Sequence, residues 1–260
     1  MGTVAKALSL LNFFNRSQST IGLSEMARLS GLNKATVHRL LSEMQEQGFV
    51  EQAGSAREYR LGPAFLRLAA LREAAVPLRD LADRVLGDLS ADTDETSHFS
   101  MMQNGRLTAI AYAYSAQHGT RVTMGDAEFL TLHATSSGLA VLAFSPPEIV
   151  DAVLSGPLER HTKHTVTDPN ALRQRLDQIR RTGIAESVGG FEDDVHSHAM
   201  PVFDVSCRVV GAIAVAAPTV RMTPDHRARI ISALRKHAPR FTRLSGGFLP
   251  ETFNYEEDAV

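Results

Sequence analysis

Residues 23–61 of this chain read LSEMARLSGLNKATVHRLLSEMQEQGFVEQAGSAREYRL, and this stretch decides the fold of the first part of the molecule. Two helical patterns flank a Ser30-Gly31-Leu32 turn, and a short two-stranded ribbon follows. Ser24 is expected to cap the first helix and Asn33 the second, because their side-chain oxygens accept hydrogen bonds from free N–H groups of a first helical turn. Gly48 stands where a helix end requires a positive φ angle. This order predicts a winged helix-turn-helix.

The second helix has one apolar face and an unusual distribution of charge. A repeat at intervals of three and four residues predicts one buried stripe: Val37, Leu40, Leu41 and Met44. Bases such as Lys34 and Arg39 occupy its first half, and the acids Glu43 and Glu46 its second half. The helix dipole favours the opposite order, so an anion is expected at the N-terminal end. A recognition helix inserts that end into the major groove of duplex DNA.

The ribbon at residues 49–61 would form the wing. Its inward side chains are expected to be Phe49 or Val50 on one strand and Tyr59 with Leu61 on the other. Gly54-Ser55 make the turn, and Arg57 lies near the tip, where a wing meets phosphate. The expected DNA contacts are Ser24, Asn33, Lys34, Thr36, His38, Arg39 and Arg57. The pattern leaves one alternative open, a small helical cap with no role in nucleic-acid binding.

The composition is that of an ordinary globular protein. The 260 residues suffice for about two domains, and 43% of them are hydrophobic and 22% charged. A formal net charge of −2 excludes a polycationic chain, so DNA binding depends on where the bases are placed. Cys207 is the single cysteine, which excludes an intrachain disulfide and favours a reducing, cytoplasmic compartment. No apolar run approaches the ~20 residues of a membrane span, so no membrane partner is expected.

The remaining pattern divides the chain into segments. A first amphipathic helix is expected from Val4, Ala7, Leu8, Leu11 and Phe14. A second helix follows Gly62-Pro63, and its apolar residues cover more than one stripe: Phe65, Leu66, Leu68, Ala69 and Leu71. Burial against both its own domain and a partner would explain this, and packing on one domain alone is the alternative. We expect a winged helix-turn-helix at 1–62, a linker helix at 63–77, a second domain at 78–246 and a mobile acidic tail at 247–260.

The second domain alternates between helical and strand periods. A one-faced helix is predicted from Leu78, Leu81, Ala82, Val85, Leu86 and Leu89. Alternation over 96–102 and 106–115, with a Gln103-Asn104-Gly105 turn, predicts a hairpin. Further helices are expected near 137–144, 147–154, 169–183 and 224–244, and strands near 121–125, 184–188, 197–203 and 209–217. The fold class is therefore α+β, with a mixed α/β second domain built on an antiparallel sheet.

Several segments in order resemble the IclR family of bacterial transcription factors. VAKALSLLNFF, LSEMARLSGLNKATVHRLL and GFVEQ with YRLGP resemble its DNA-binding half, and FLTLHATSSGLAVLA and GIAESVGGFEDDVHSHAMPVFDVSCRVVGAIAVAAPTVRMT its second half. The likeness covers roughly residues 4–245. It implies a GAF-like effector-binding domain, an operator on double-stranded DNA, a small-molecule effector, no cofactor and a homodimer or homotetramer that pairs through the linker helix. We expect a ligand-responsive regulator, a repressor of a catabolic operon rather than an enzyme.

The resemblance also places an effector site. Backbone N–H groups of Thr135, Ser136, Ser137 and Gly138 would bind an anion at a helix start. The chain departs from the pattern of regulators that bind small keto acids at four positions: Ser187, Ser197, Ala214 and Ala216. These replacements remove polar groups, so we expect an effector with a larger, partly apolar body, an aromatic acid in the first instance. Its apolar part would contact Met101, Met124, Leu132 and Phe191.

Two other chemistries remain open as alternatives. Metal binding is suggested by His133 and by two histidine pairs, His161 with His164 and His196 with His198, with the acids 192–194 close to the second pair. A hydrolase is suggested by Ser136, His133 and Asp126 as a nucleophile set. The chain has no G-x-S-x-G or HExxH motif, so neither metal ligands nor catalytic residues are assigned.

Overall fold

A computed structural model describes residues 2–14, 18–54, 57–75, 77–124 and 129–253. The chain divides into two compact units, Met1–Pro77 and Leu78–Val260. Within the described residues, no helix combines the length and apolar character needed to cross a membrane.

The first unit is a winged helix-turn-helix followed by one more helix. Its elements are α1 (Thr3–Leu11), α2 (Leu23–Ser30), α3 (Lys34–Glu46), β1 (Val50–Ala53), β2 (Glu58–Leu61) and α4 (Ala64–Ala75). Strands β1 and β2 pair antiparallel as the wing, and Ile21 bridges Tyr59. The predicted stripe of α3 is buried in the core of this unit, and Gly48 has a φ of 74° at the end of that helix.

Two predicted apolar faces of this unit are corrected. In α1 Leu10 is buried, and Ala7, Leu11 and Phe14 of the expected stripe pack against the same core, whereas Val4 is 73% and Leu8 58% exposed. In the wing Val50 and Tyr59 are buried, but Leu61 is 45% exposed. The Ile21 bridge covers Tyr59 and not the strand end at Leu61.

The second unit is a six-stranded antiparallel sheet with helices on both faces. Its helices are α5 (Leu78–Thr93), α6 (Ser136–Ala143), α7 (Pro147–Ser155), α8 (Pro169–Thr182) and α9 (Pro224–Leu244). Its strands are β3 (Thr96–Gln103), β4 (Arg106–Ala113), β5 (Phe129–Leu130), β6 (Ala185–Val188), β7 (Val195–Phe203) and β8 (Val209–Pro218). The strand order is β5-β4-β3-β8-β7-β6. Helices α5 and α9 pack together on one face, and α6 with α8 covers the other.

The α+β fold with an antiparallel second sheet is thus confirmed. The predicted strand near 121–125 is wrong over 121–124, because these residues form no regular element. Gly125 lies outside the described residues. The edge strand next to β4 is β5 instead. The tail is corrected in part. Phe253 is 7% exposed and its ring centroid lies 5.3 Å from that of Phe144 and 5.2 Å from that of Phe203, so the tail packs on the domain at this residue. Residues 254–260 are not among those described.

Candidate functional sites

The first candidate site is a concavity of about 570 Å³ between the start of α2, the start of α3 and the wing. It brings together four of the predicted DNA contacts: Ser24, Lys34, His38 and Arg57. The sequence prediction missed further polar residues that line it, among them Thr20 and Gln52. Thr20 lies in the segment before α2 and Gln52 on β1, and their spacing along the sequence does not indicate that they line the same surface.

The starts of α2 and α3 are built differently. Asn33 caps α3 as predicted, because its Oδ1 accepts a 2.8 Å hydrogen bond from the N–H of Thr36. The predicted cap by Ser24 is wrong: α2 begins at Leu23, its N-cap is Gly22, and no side chain caps it. The first N–H groups of α2 therefore have no partner within the helix, and they border the concavity. Such a helix start favours an anion.

The remaining predicted contacts are on the solvent-facing side of α3. The side chain of Arg39 is 56% exposed and its Nη1 lies 2.7 Å from Oε1 of Glu43, one turn further along the helix. An exposed pair of this kind contributes little to stability, so the guanidinium can exchange its partner at small cost. Thr36 is half-buried at the start of the helix.

The second candidate site is a cavity of about 50 Å³ in the second unit, between the sheet and the start of α6. Eight of the twelve predicted effector contacts line it: Met124, Thr135, Ser136, Ser137, Ser187, Phe191, Ser197 and Ala216. None of the described residues that line it is Lys or Arg. Helix α6 begins here, and the N–H groups of Ser136 and Ser137 have no partner within the helix. The only charged side chain among the described lining residues is the acid Glu192, so the N–H donors at the start of α6 are the groups of this cavity that can bind an anion.

Four predicted contacts do not line the cavity. Met101 follows His98 by three residues on β3, so it points to the other face of the sheet, the face on which Phe99 contacts Phe241 of α9. Ala214 is completely buried among the core residues, and Leu132 packs against that core.

Gly138, the fourth of them, has a structural task instead. Its N–H donates to Oγ1 of Thr135, the N-cap of α6. A Cβ at this position would lie 2.3 Å from the carbonyl oxygen of Thr131 and 2.5 Å from Cα of Leu132. Only glycine lets the helix approach the preceding segment this closely.

His98 is the residue of this cavity that the sequence prediction missed. It is 5% exposed, and its Nε2 lies 3.1 Å from Oγ of Ser137, within hydrogen-bond distance. Burial lowers the pKa of its imidazole to about 4, so the ring is neutral at pH 7. The signal that could have identified His98 was its position inside a strand that is buried on both faces, because a buried imidazole needs a polar partner.

The structure gives different results for the two alternatives, the hydrolase and the metal site. His133 lies 2.8 Å, through Nε2, from the carbonyl oxygen of Glu159, and Asp126 of the suggested nucleophile set lies outside the described residues. His196 and His198 do come together, but with Glu186 rather than with the acids of the 192–194 segment, which are exposed. Their cluster lies on the opposite face of the sheet from the cavity.

Comparison with known proteins covers both units. Residues 3–54 match the model of the IclR helix-turn-helix domain, and residues 72–243 match that of the C-terminal domain of the bacterial transcriptional regulator IclR. The transcriptional repressor IclR of Escherichia coli (strain K12) is 27% identical over 94% of this chain and 90% of its own length. An IclR transcriptional regulator structure from Silicibacter sp. TM1040 is 56% identical, with a TM-score of 0.90 over 98% of this chain and 100% of that one. An IclR homologue from Microbacterium hydrocarbonoxydans, solved in complex with 4-hydroxybenzoate, is 26% identical, with a TM-score of 0.58 over 94% and 99% of the two chains.

Proposed function

Since this chain belongs to the IclR family of bacterial transcriptional regulators, we propose that it is a repressor of a catabolic operon that an organic acid releases from its operator. The homologues are transcriptional regulators and not enzymes. The observation that carries the proposal is the concavity of the first unit, where Lys34, His38 and Arg57 line one surface between the starts of α2 and α3 and the wing.

The contacts to DNA divide into two kinds. The free N–H groups at the start of α2, together with Ser24 and Arg57, bind backbone phosphates and set the position of the domain. The exposed face of α3 enters the major groove, where Arg39 reads a base edge and Lys34, Thr36 and His38 reach base edges or flanking phosphates. Asn33 supports these contacts by holding the first turn of α3.

Variants of the concavity test this assignment in a gel shift with the DNA upstream of the protein's own gene. Lys34→Gln and Arg57→Gln each remove one positive charge from the proposed DNA-binding surface, so each should weaken binding and flatten its salt dependence. Arg173→Gln, an exposed arginine of the second unit, is the matched control and should leave binding unchanged. Equal affinities for all four proteins would contradict the proposed surface.

The effector that we propose is a carboxylic acid with an apolar, aromatic body. Its carboxylate would accept hydrogen bonds from the N–H groups of Ser136 and Ser137, and the neutral His98 adds a polar group without opposing charge. The apolar side chains Met124, Phe191 and Ala216 surround the rest. The homologue bound to 4-hydroxybenzoate supports this class of ligand at 26% identity.

The size of the cavity adds a condition to this proposal. Its volume of about 50 Å³ is well below the roughly 150 Å³ that admits a benzene ring. An aromatic effector therefore has to displace side chains at the mouth, and Met124 has the flexible, unbranched chain suited to this.

A thermal-shift screen tests the effector class. We expect benzoate and 4-hydroxybenzoate to raise the melting temperature, and glyoxylate and pyruvate to leave it unchanged. Phe191→Ala should lose the shift because it removes an apolar wall, whereas Phe248→Ala, a residue 59% exposed, should keep it. Stabilisation by the keto acids alone would refute the proposal.

We further propose that two chains pair through α4. Leu66, Leu68 and Leu71 of this helix are 78%, 39% and 57% exposed. Helix-turn-helix proteins bind paired half-sites as dimers, so a second copy of this chain is the occupant that fits this apolar face. Effector binding would then act on DNA affinity by changing the spacing of two such domains through the 63–77 segment, in a dimer or a tetramer.

A further inference from the structure

A cluster of three side chains lies on the face of the sheet that α9 covers, away from the effector cavity. Along β7, Val195 and Ser197 line the cavity, so His196 and His198 point to the other face. Strand β6 pairs with β7 in a register that sets Glu186 directly opposite His198. The chain therefore places two imidazoles and one carboxylate side by side on two neighbouring strands.

The three groups converge on one point. Nε2 of His196 lies 2.7 Å, and Nε2 of His198 3.0 Å, from the same carboxylate oxygen, Oε1 of Glu186. The possible ligand atoms all lie within 4.8 Å of one another, and the two rings stack with centroids 4.9 Å apart. The side chain of His198 is completely buried, whereas that of Glu186 is 33% exposed, which leaves the cluster open to solvent on one side.

Metal binding would use the deprotonated forms of these three groups, an ionised carboxylate and two neutral imidazoles.

We propose that Glu186, His196 and His198 form a zinc site. Two histidine nitrogens and one carboxylate oxygen are a common donor set for Zn²⁺ with an open fourth position, and water can fill that position from the exposed side. The proposal is independent of the effector, because the cluster and the cavity lie on opposite faces of the sheet.

Two features of the cluster limit its affinity. Arg227 of α9 donates from Nε to Oε1 of Glu186 at 3.0 Å and from Nη2 to Oε2 at 3.3 Å, and it has to release Oε1 when the metal binds. Nδ1 of His198 has no partner among the described residues, and coordination through Nε2 moves the ring proton to this atom. We therefore expect weaker binding than at a structural zinc site, and Arg227 acts as a competing cation.

Titration of the metal-stripped, full-length protein with Zn²⁺ against a chromophoric chelator tests the site. We expect one ion per chain, an affinity at least tenfold lower in His196→Gln, and an unchanged affinity in His164→Gln, a control histidine outside the cluster. Arg227→Gln should bind more tightly than the wild type, because the competing charge is gone. Circular dichroism of each variant shows whether it is folded.

Three results would overturn the proposal. The first is no uptake of zinc by the folded wild-type protein. The second is an equal loss in His196→Gln and His164→Gln, which would indicate adventitious surface binding. The third is weaker binding in a folded Arg227→Gln protein. None of these results depends on DNA or effector binding, so the regulator function is tested separately.

Discussion

His98 shows how a single buried residue affects the polarity of the proposed effector cavity. Because its imidazole is desolvated, it stays neutral and offers a hydrogen-bonding group beside Ser137 without adding charge. The cavity then depends on the start of α6 to attract an anion. This arrangement favours a ligand with one carboxylate over one that carries several charges.

The depressed pKa of His98 has a measurable consequence for stability. In the unfolded chain the ring takes up a proton near its ordinary value of 6.5, and in the folded protein only near 4. Acid therefore favours the unfolded state, and stability falls as the pH drops from 6.5 towards 4. Between pH 7 and pH 5 this residue should cost about 2 kcal/mol. Urea unfolding of His98→Gln should show a pH-dependent loss smaller by about that amount; identical pH profiles would contradict the assignment.

Arg39 is the residue for which we predict the clearest effect on DNA. Arg39→Ala should weaken operator binding by about 1–3 kcal/mol if the guanidinium reads a guanine. Effector affinity should not change, because the residue belongs to the other unit. Arg173→Ala is the control, since it also breaks an exposed ion pair, at 2.8 Å to Asp151. Losses in both DNA and effector binding would indicate misfolding instead.

At the scale of elements, the start of α6 combines tight packing with binding. Thr135 caps the helix, and Gly138 allows it to lie directly on the Thr131–Leu132 backbone. This contact holds the N–H groups of Ser136 and Ser137 at the cavity. The position of the proposed anion site therefore depends on Gly138, a residue that does not itself line the cavity.

Two glycines in helices should respond in opposite ways to alanine. Gly138→Ala should destabilise the second unit by about 1–3 kcal/mol or more, because its Cβ meets backbone atoms that cannot yield. Gly87→Ala in α5 should stabilise it by about 1 kcal/mol, because a Cβ there meets nothing within 4 Å. Thermal unfolding followed by circular dichroism compares the two. A neutral Gly138→Ala would refute the close approach described.

Elements with local signals could be predicted from the sequence, and those that depend on distant partners could not. Helix α8 was predicted within a residue or two, because Asp168, Pro169 and Gly183 mark its ends through their own chemistry. The two-residue strand β5 exists only through its pairing with β4, so the pattern gave no sign of it. Strand β3 is buried on both faces, so its sequence does not show which side chains point to which face of the sheet. Met101 was therefore assigned to the cavity, and His98 was missed.

The whole molecule joins an output domain to a sensing domain. In the proposed function the first unit presents helix starts and bases to DNA, and the second encloses a cavity without cationic side chains among its described lining residues. The total charge of −2 does not reveal this division, because function follows the local placement of charge. Pairing of two chains, as proposed for α4, would present two recognition helices to a two-fold operator.

Disruption of the exposed face of α4 tests the proposed pairing. Leu66→Lys should shift the protein towards monomers in sedimentation equilibrium and weaken operator binding, since each chain would then bind one half-site. Val220→Lys is the control: Val220 is 93% exposed but lies in the second unit. An unchanged oligomeric state in Leu66→Lys would exclude this face as the main contact.

The most direct test of the regulator function is fluorescence anisotropy with the protein's own upstream DNA, measured at several salt concentrations with and without an aromatic acid. We predict tight binding that falls steeply with salt, a large preference over scrambled DNA, and release on addition of the acid that stabilises the protein. Equal affinity for upstream and scrambled DNA, or no binding at low salt, would contradict the account.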